Sequence, residues 1–265
     1  VKSPRFTDSI KESSKPSNFC PGCGHSIILK EIGYLISDMD LKKKAVFTID
    51  IGCSLLAWDF FDVDTFETHH GRTTAAAVGQ KMGNSQAIIL AYMGDGGGYA
   101  IGLQNLIHAA KRNDKITVIL VNNTVFSMTG GQMAPTTMPH EVTDTTPDGF
   151  FAPEKPFLGP EILDLIAPSG AYIARAAVSN PSQVQAYIRN AIQNQIEGRG
   201  FSFVEVLSYC PINWKTDAKQ TVQFMEEMKK VFPVGEIRKP PLSSRTRLRD
   251  AAERVNSASG VEMTN

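Results

Sequence analysis

Gly94-Asp95-Gly96, followed downstream by Asn122-Asn123, is the part of this 265-residue sequence best equipped for chemistry. Each motif closes an apolar run that suits a buried strand. In an open parallel sheet, loops at the carboxyl ends of neighbouring strands lie side by side, so one crossover brings the two motifs together. Glycines let backbone N–H groups approach a phosphate with no Cβ in the way. The helix that follows turns its positive end toward the same anion. Asp95 and Asn123 offer hard oxygen donors of the kind Mg²⁺ prefers, with diphosphate oxygens and water completing an octahedron. A dinucleotide fingerprint needs a third glycine where Tyr99 stands, and a Walker loop needs Gly-Lys-Ser/Thr; neither is present. The bland alternative is a tight turn at 94–98 with Asn122-Asn123 as a turn or capping pair. Two motifs in one strand–helix–strand context favour the anion site.

The four cysteines form the second constellation. Cys20 and Cys23 make a C-x-x-C turn in Cys20-Pro21-Gly22-Cys23-Gly24; Cys53 lies in Gly52-Cys53-Ser54 and Cys210 in Tyr209-Cys210-Pro211. Four thiols are too few for a disulfide scaffold in a chain of this length. One pair and two singles, each beside a turn or strand end, add up to a four-thiolate site. Zinc ribbons normally use two C-x-x-C knuckles, whereas a [4Fe–4S] cluster accepts scattered cysteine loops. A thioredoxin-like pair needs another fold context. Free buried thiols explain the single cysteines but not the C-x-x-C.

Several elements must position these residues. Helical periodicity covers about 25–37, 72–82, 99–112, 161–167 and 182–197, and strand-like apolar runs cover 45–51, 87–93, 116–121 and 202–207. Such alternation predicts an α/β fold with a mostly parallel sheet and helices on both faces. Residues 124–160 are rich in Thr, Pro, Gly and Met, a long irregular stretch of the kind that covers a ligand or partner. Residues 1–18 read as an extended N-terminal arm and 19–215 as the principal domain. Residues 216–265 form a charged, Pro-punctuated extension, with helical patterns near 221–230 and 247–255 that suit a partner better than a core.

Composition narrows the function classes. The chain is 42% apolar and 20% charged, ordinary for a globular protein, with 27 basic and 27 acidic residues. This balance gives no electrostatic argument for nucleic acid or for a membrane surface. Its longest apolar runs are too short to span a bilayer, and the N-terminal residues lack the apolar core of a secretory signal. The expectation is a cytoplasmic protein.

Five motifs, in order, carry a family resemblance: Cys20-Pro21-Gly22-Cys23-Gly24-His25, Gly52-Cys53-Ser54, His70-Gly71-Arg72, the Gly-Asp-Gly and Asn-Asn pair, and Thr129-Gly130-Gly131-Gln132. Over about residues 18–215 the chain resembles the β subunit of 2-oxoacid:ferredoxin oxidoreductases, which bind thiamine diphosphate on a PP-domain fold. The resemblance implies Mg²⁺ at Asp95, Asn123 and the Val125 carbonyl. It implies cofactor contacts at Gly94, Gly96, Ser54, His70 and Thr129, with His70 and Thr129 at the diphosphate. It implies a [4Fe–4S] cluster on Cys20, Cys23, Cys53 and Cys210. His25 and His108 read as structural.

By the same resemblance the reaction is a CoA-dependent oxidative decarboxylation of a 2-oxoacid to acyl-CoA and CO₂, with electrons passing through the cluster to ferredoxin. The glutamate that activates the cofactor's aminopyrimidine ring is expected from an α subunit carrying the pyrimidine-binding domain; Glu67 reads as a surface residue. Further subunits are also expected. Relatives acting on 2-oxoglutarate commonly carry a basic residue just after the Gly-Cys-Ser turn. Here Leu55-Leu56-Ala57-Trp58 and Phe60-Phe61 follow instead, an apolar setting in which a second carboxylate is costly to desolvate. Together with Phe60-Phe61-Asp62-Val63-Asp64 and the stretch 131–137, this looks like the branched-chain, 2-oxoisovalerate type. Two other readings are a non-oxidative thiamine-dependent decarboxylase or synthase, and an interaction or electron-transfer module without cofactor.

Overall fold

Strands β1 (Ala45–Ile49), β3 (Ile88–Gly94), β4 (Thr117–Asn122) and β8 (Ser202–Leu207) lie side by side in the centre of a seven-stranded sheet. The structure, a computed structural model, describes residues 8–14, 17–149 and 155–241. The strand order is β2-β1-β3-β4-β8-β7-β9, with β2 (Asp64–Glu67), β7 (Tyr172–Ala177) and β9 (Gly235–Arg238) completing it. Every pairing is parallel except β7 with β9. A small antiparallel pair, β5 (Val125–Phe126) with β6 (Gln132–Met133), stands apart.

The strand side chains alternate between two cores. In β3, Ile88, Leu90 and Tyr92 join a core built with helices α1 (His25–Asp38), α5 (Pro181–Ile196) and α7 (Ala218–Val231). Ile89, Ala91 and Met93 join the opposite core, with α2 (Thr73–Gly83), α3 (Leu103–Arg112) and α4 (Gly159–Ile166). Burial on both faces is why these strands read as continuous apolar runs rather than alternating ones. The expected fold, a mostly parallel sheet with helices on both faces, is the one observed. Among the described residues no helix is long and apolar enough to cross a membrane.

Four expectations need correction. Strand β7 was not foreseen. The helix expected over 99–112 begins with a π-helical turn at Gly96–Ile101 before α3. The N-terminal arm is packed over its described part: Ser9 and Ile10 are buried, and Ile10 bridges Phe61. The extension beyond 215, expected to suit a partner better than a core, joins the core over 218–238. Met225, Met228 and Phe232 are fully buried, and β9 adds an antiparallel edge to β7. Helix α7 is fixed by a capping box between Asp217 and Gln220. The helical pattern near 247–255 lies outside the described residues.

Candidate cofactor site

The carboxyl ends of four consecutive sheet neighbours supply the site. Asp50 to Ser54 follow β1, Gly94 to Gly97 close β3, Asn122 to Val125 close β4, and Ser208 to Cys210 follow β8. Gly94 is in register with Val121, so the Gly-Asp-Gly and Asn-Asn loops emerge at one level. They touch directly: the Thr124 N–H donates to Asp95 Oδ2 at 3.1 Å. Above them lies a cavity of about 310 Å³ whose wall includes Ser54, His70, Gly94, Asp95, Gly96, Asn123, Val125 and Thr129. All eight residues expected at the cofactor therefore share one cavity, together with Cys53.

Asp95 is held from three sides. Gly96 N–H donates to Oδ1, while Thr124 N–H and the Thr136 hydroxyl donate to Oδ2. A carboxylate offers about four lone-pair positions, so room for a cation remains. Burial pushes the Asp95 pKa up to about 7, against those three donors, and the charge of Glu205 adds to the rise. A cation would favour the ionised form again. The Asn123 amide nitrogen donates to Ser127 Oγ at 2.7 Å, which turns its oxygen the other way; that oxygen meets only a long 3.4 Å contact from Val125 N–H. Thr124 makes the turn between them at a φ of 68°, a left-handed conformation unusual for a β-branched residue. Glu141 locks it: Thr124 Oγ1 donates to Glu141 Oε1 at 2.6 Å, and Met138 N–H binds Oε2 at 2.8 Å.

Two glycines let the loops approach. A Cβ on Gly96 would meet the Phe126 ring at 2.1 Å, and one on Gly97 would lie 1.8 Å from Asp50 Oδ2. Asp50 was not singled out in the sequence. Fully buried, it accepts the Gly71 N–H at 2.9 Å and so ties the His70-Gly71 turn to the glycine loop. Burial raises its pKa to about 6, and the nearby His70 opposes the rise. His25 was also missed as a site residue. It lines the cavity, its Nδ1 is 2.6 Å from the Tyr92 hydroxyl, and burial lowers its pKa to about 4. Its place beside the C-x-x-C turn was the available signal. His108 does not line the cavity, and Glu67 is exposed on β2.

The cysteines gather at one edge of this cavity. The Cys20–Cys23 turn docks beneath Cys210: Gly24 N–H donates to the Tyr209 carbonyl at 3.1 Å, and a Cβ on Gly22 would stand 3.3 Å from the Pro211 ring. Burial pushes the thiols of Cys23 and Cys53 up to about 12. Among the four, every pair is close enough for one thiolate charge to disfavour the other. Among the described residues no three His, Cys, Asp or Glu side chains converge tightly enough to share one metal ion.

The apolar stretch after Cys53 is core, not cavity wall. Ala57 and Phe61 are fully buried, Leu55, Leu56 and Phe60 pack on the same core, and Trp58 is about half exposed at 53%. None of them lines the cavity.

Comparison with known proteins identifies the family. Residues 50–206 match the thiamine pyrophosphate enzyme, C-terminal TPP binding domain. The ketoisovalerate oxidoreductase subunit VorA of Methanothermobacter thermautotrophicus is 40% identical over 237 residues, 86% of this chain and 49% of that protein. The 2-oxoglutarate synthase subunit KorB of the same organism is 36% identical over 225 residues, 83% of this chain and 75% of that protein. The chain thus spans about half the length of the ketoisovalerate subunits it matches. A solved structure of 2-oxoglutarate:ferredoxin oxidoreductase from Magnetococcus marinus, with 2-oxoglutarate, coenzyme A and succinyl-CoA bound, superposes with a TM-score of 0.73 at 26% identity. That match covers 98% of this chain and 94% of the other. The chain belongs to the thiamine pyrophosphate enzyme family, in the branch formed by the subunits of 2-oxoacid oxidoreductases.

Proposed function

We propose that this chain is the thiamine-diphosphate-binding subunit of a CoA-dependent 2-oxoacid:ferredoxin oxidoreductase. The observation that carries the proposal is the convergence of Asp95, Asn123, His70, Ser54, Thr129 and Cys53 on one cavity at four neighbouring strand ends. The residues fit the group. Asp95 keeps a free lone-pair position, Asn123 presents its oxygen, and the Val125 carbonyl completes the set of Mg²⁺ ligands. Two buried oxygens, Ser54 Oγ in the cavity wall and Asp50 Oδ2 beside Gly97, have no hydrogen-bond partner. A polar ligand would satisfy the serine. Gly96 and Gly97 bring the backbone close to the anion, and His70 and Thr129 stand at the rim to meet the diphosphate.

When bound, thiamine diphosphate supplies carbanion chemistry at the 2-oxo carbon. The chain's own residues position its diphosphate end, hold the cation and bring a thiolate site to the cavity edge. Cys20, Cys23, Cys53 and Cys210 would hold a [4Fe–4S] cluster, in which each thiolate has its own iron. Cys53 lines the cavity itself, so a cluster held there would have one of its ligands beside the cofactor. The activating glutamate would come from a pyrimidine-binding domain elsewhere in the assembly, with ferredoxin and CoA as further partners.

A branched-chain 2-oxoacid is the favoured substrate. The support is kinship with the ketoisovalerate subunits and a cavity wall that includes no Lys or Arg among the described residues; a second carboxylate would be costly to desolvate there. The test is a 2-oxoacid panel with the assembled complex, following reduction of a low-potential dye with CoA present. Faster turnover of 2-oxoisovalerate than of 2-oxoglutarate is expected, and the reverse order overturns the substrate assignment. This chain alone should show no turnover.

A further inference from the structure

Ser127 is joined to both halves of the proposed site. Its Oγ accepts from Asn123 Nδ2 at 2.7 Å, lies 3.3 Å from the Val125 carbonyl oxygen, and is 3.5 Å from Cys210 Sγ. The neighbouring short helix α6 (Pro211–Trp214) fixes these positions. Asn213 Nδ2 donates to the Ser127 carbonyl at 3.0 Å and stands 3.4 Å from Cys210 Sγ; Trp214 Nε1 donates to the Asn123 carbonyl at 3.0 Å. Gly131 leaves space for Asn213, since a Cβ there would approach it at 3.1 Å.

In this structure the Cys210 thiol donates to Ser127 Oγ and the serine donates to the Val125 carbonyl. A serine hydroxyl has one proton, and once Cys210 is a cluster-bound thiolate its sulfur becomes a second acceptor competing with that carbonyl. We infer that Ser127 is a positioning residue that couples the cation at the diphosphate end to the reduction potential of the cluster. The inference rests on the proposed cation and cluster ligands. A cation drawing on the Val125 carbonyl oxygen competes with the serine proton for that oxygen. The proton then turns to the thiolate of Cys210. Reduction adds one electron, and hence one negative charge, to the cluster and its sulfurs. A donor to a thiolate sulfur stabilises that charge and raises the potential. Loading the cofactor end therefore makes the cluster a better electron acceptor. Asn213 is a second donor to the same sulfur, indifferent to the cation, and raises the potential in both states.

The experiment uses the full complex purified anaerobically, either stripped by chelation or saturated with thiamine diphosphate and Mg²⁺. Iron and acid-labile sulfide are assayed first, and the relevant signal is identified by its loss in Cys20→Ser. Redox titration followed by EPR should show an upward step in potential on loading in the wild type. Ser127→Ala should keep its iron and lose the step, and Ser127→Thr, which retains the hydroxyl, should restore it. Asn213→Ala should lower the potential with or without cofactor and preserve the step. An equal step in Ser127→Ala and wild type overturns the inference. Should Ser127→Ala lose its cluster, the wild type decides by proton ENDOR: exchangeable-proton coupling to the cluster must grow on loading, and unchanged coupling overturns the inference. A wild-type complex whose iron is unaffected by Cys20→Ser and Cys210→Ser instead removes the cluster assignment itself, a separate failure.

Discussion

Asp95 and Asn123 show how far single residues can be read without coordinates. Residue type and spacing at two strand ends were enough to expect a shared cation, and the structure brings the two loops into hydrogen-bond contact. Asp95→Asn keeps the shape and removes the charge. Loss of a buried carboxylate from a divalent cation costs on the order of 3–5 kcal/mol, about a hundredfold or more in affinity. Calorimetric titration of the complex with Mg²⁺ and thiamine diphosphate should show that loss; near-wild-type affinity would remove Asp95 from the site. Asp50 and Glu141 were illegible in sequence because their partners, Gly71 and Gly97 for one and Thr124 for the other, come from distant segments. Burial raises the Asp50 pKa from 3.8 to about 6 and the Glu141 pKa from 4.5 to about 8. The folded state therefore holds protons that the unfolded state releases. Their contribution is full below about pH 4 and is lost as pH climbs through 6 and then 8, and Asp95 acts in the same direction. The metal-free chain should thus lose stability from pH 5 to 8, on the order of a few kcal/mol. Chemical denaturation across that range checks it, and Asp50→Asn with Glu141→Gln should flatten the slope.

At the scale of elements, the central strands and most helices were legible because burial on both faces writes itself as unbroken apolar runs. Strand β7 was not, because Tyr-Ile-Ala-Arg-Ala-Ala has a charge in the middle and alanines that favour helix. Tertiary context reverses that preference. Arg175 is fully buried, and its guanidinium pairs with Glu205 of β8 and with both Glu161 oxygens of α4. Glu205 in turn accepts from Tyr99 at 2.9 Å and from Asn122 at 3.1 Å, so the same carboxylate steadies the strand end beside Asn123. Glu205→Ala would strip the buried Arg175 of one of its two carboxylate partners, leave Tyr99 and Asn122 without their acceptor, and should cost about 3–5 kcal/mol of unfolding free energy. A change below about 1 kcal/mol in urea melts would show that the network is not structural. The π-helical turn at Gly96–Ile101 was equally hidden, since it follows from the approach of Asp50 and Phe126 rather than from local propensity. Gly97→Ala must push the loop away from Asp50, an overpacking cost of about 1–3 kcal/mol. Cofactor affinity should fall more than stability, as paired calorimetry and thermal melts would reveal.

The whole molecule gathers its chemistry at one end of the sheet and leaves an apolar rim around it. Ile101, Phe126, Met128 and Met133 are exposed by 55%, 37%, 46% and 39%, and the first three also line the cavity. Apolar side chains clustered at the mouth of a ligand cavity mark a surface meant to be covered. On the proposed function the cover is the pyrimidine-binding partner, which must reach the far end of the cofactor to supply its glutamate. Met128 tests this cleanly, because its thioether makes no hydrogen bond in the turn after Asn123 and is half exposed, so a charge there need not disturb the fold. Met128→Glu should leave the chain's thermal midpoint within a few degrees of wild type, since exposed substitutions usually stay within about 0.5 kcal/mol. Co-expressed with its partner, the variant should elute as separate subunits and turn over no 2-oxoacid, because a carboxylate desolvated at an apolar interface opposes association. Normal assembly with full activity would move the partner's footprint away from this rim and leave the cavity to be closed from another side.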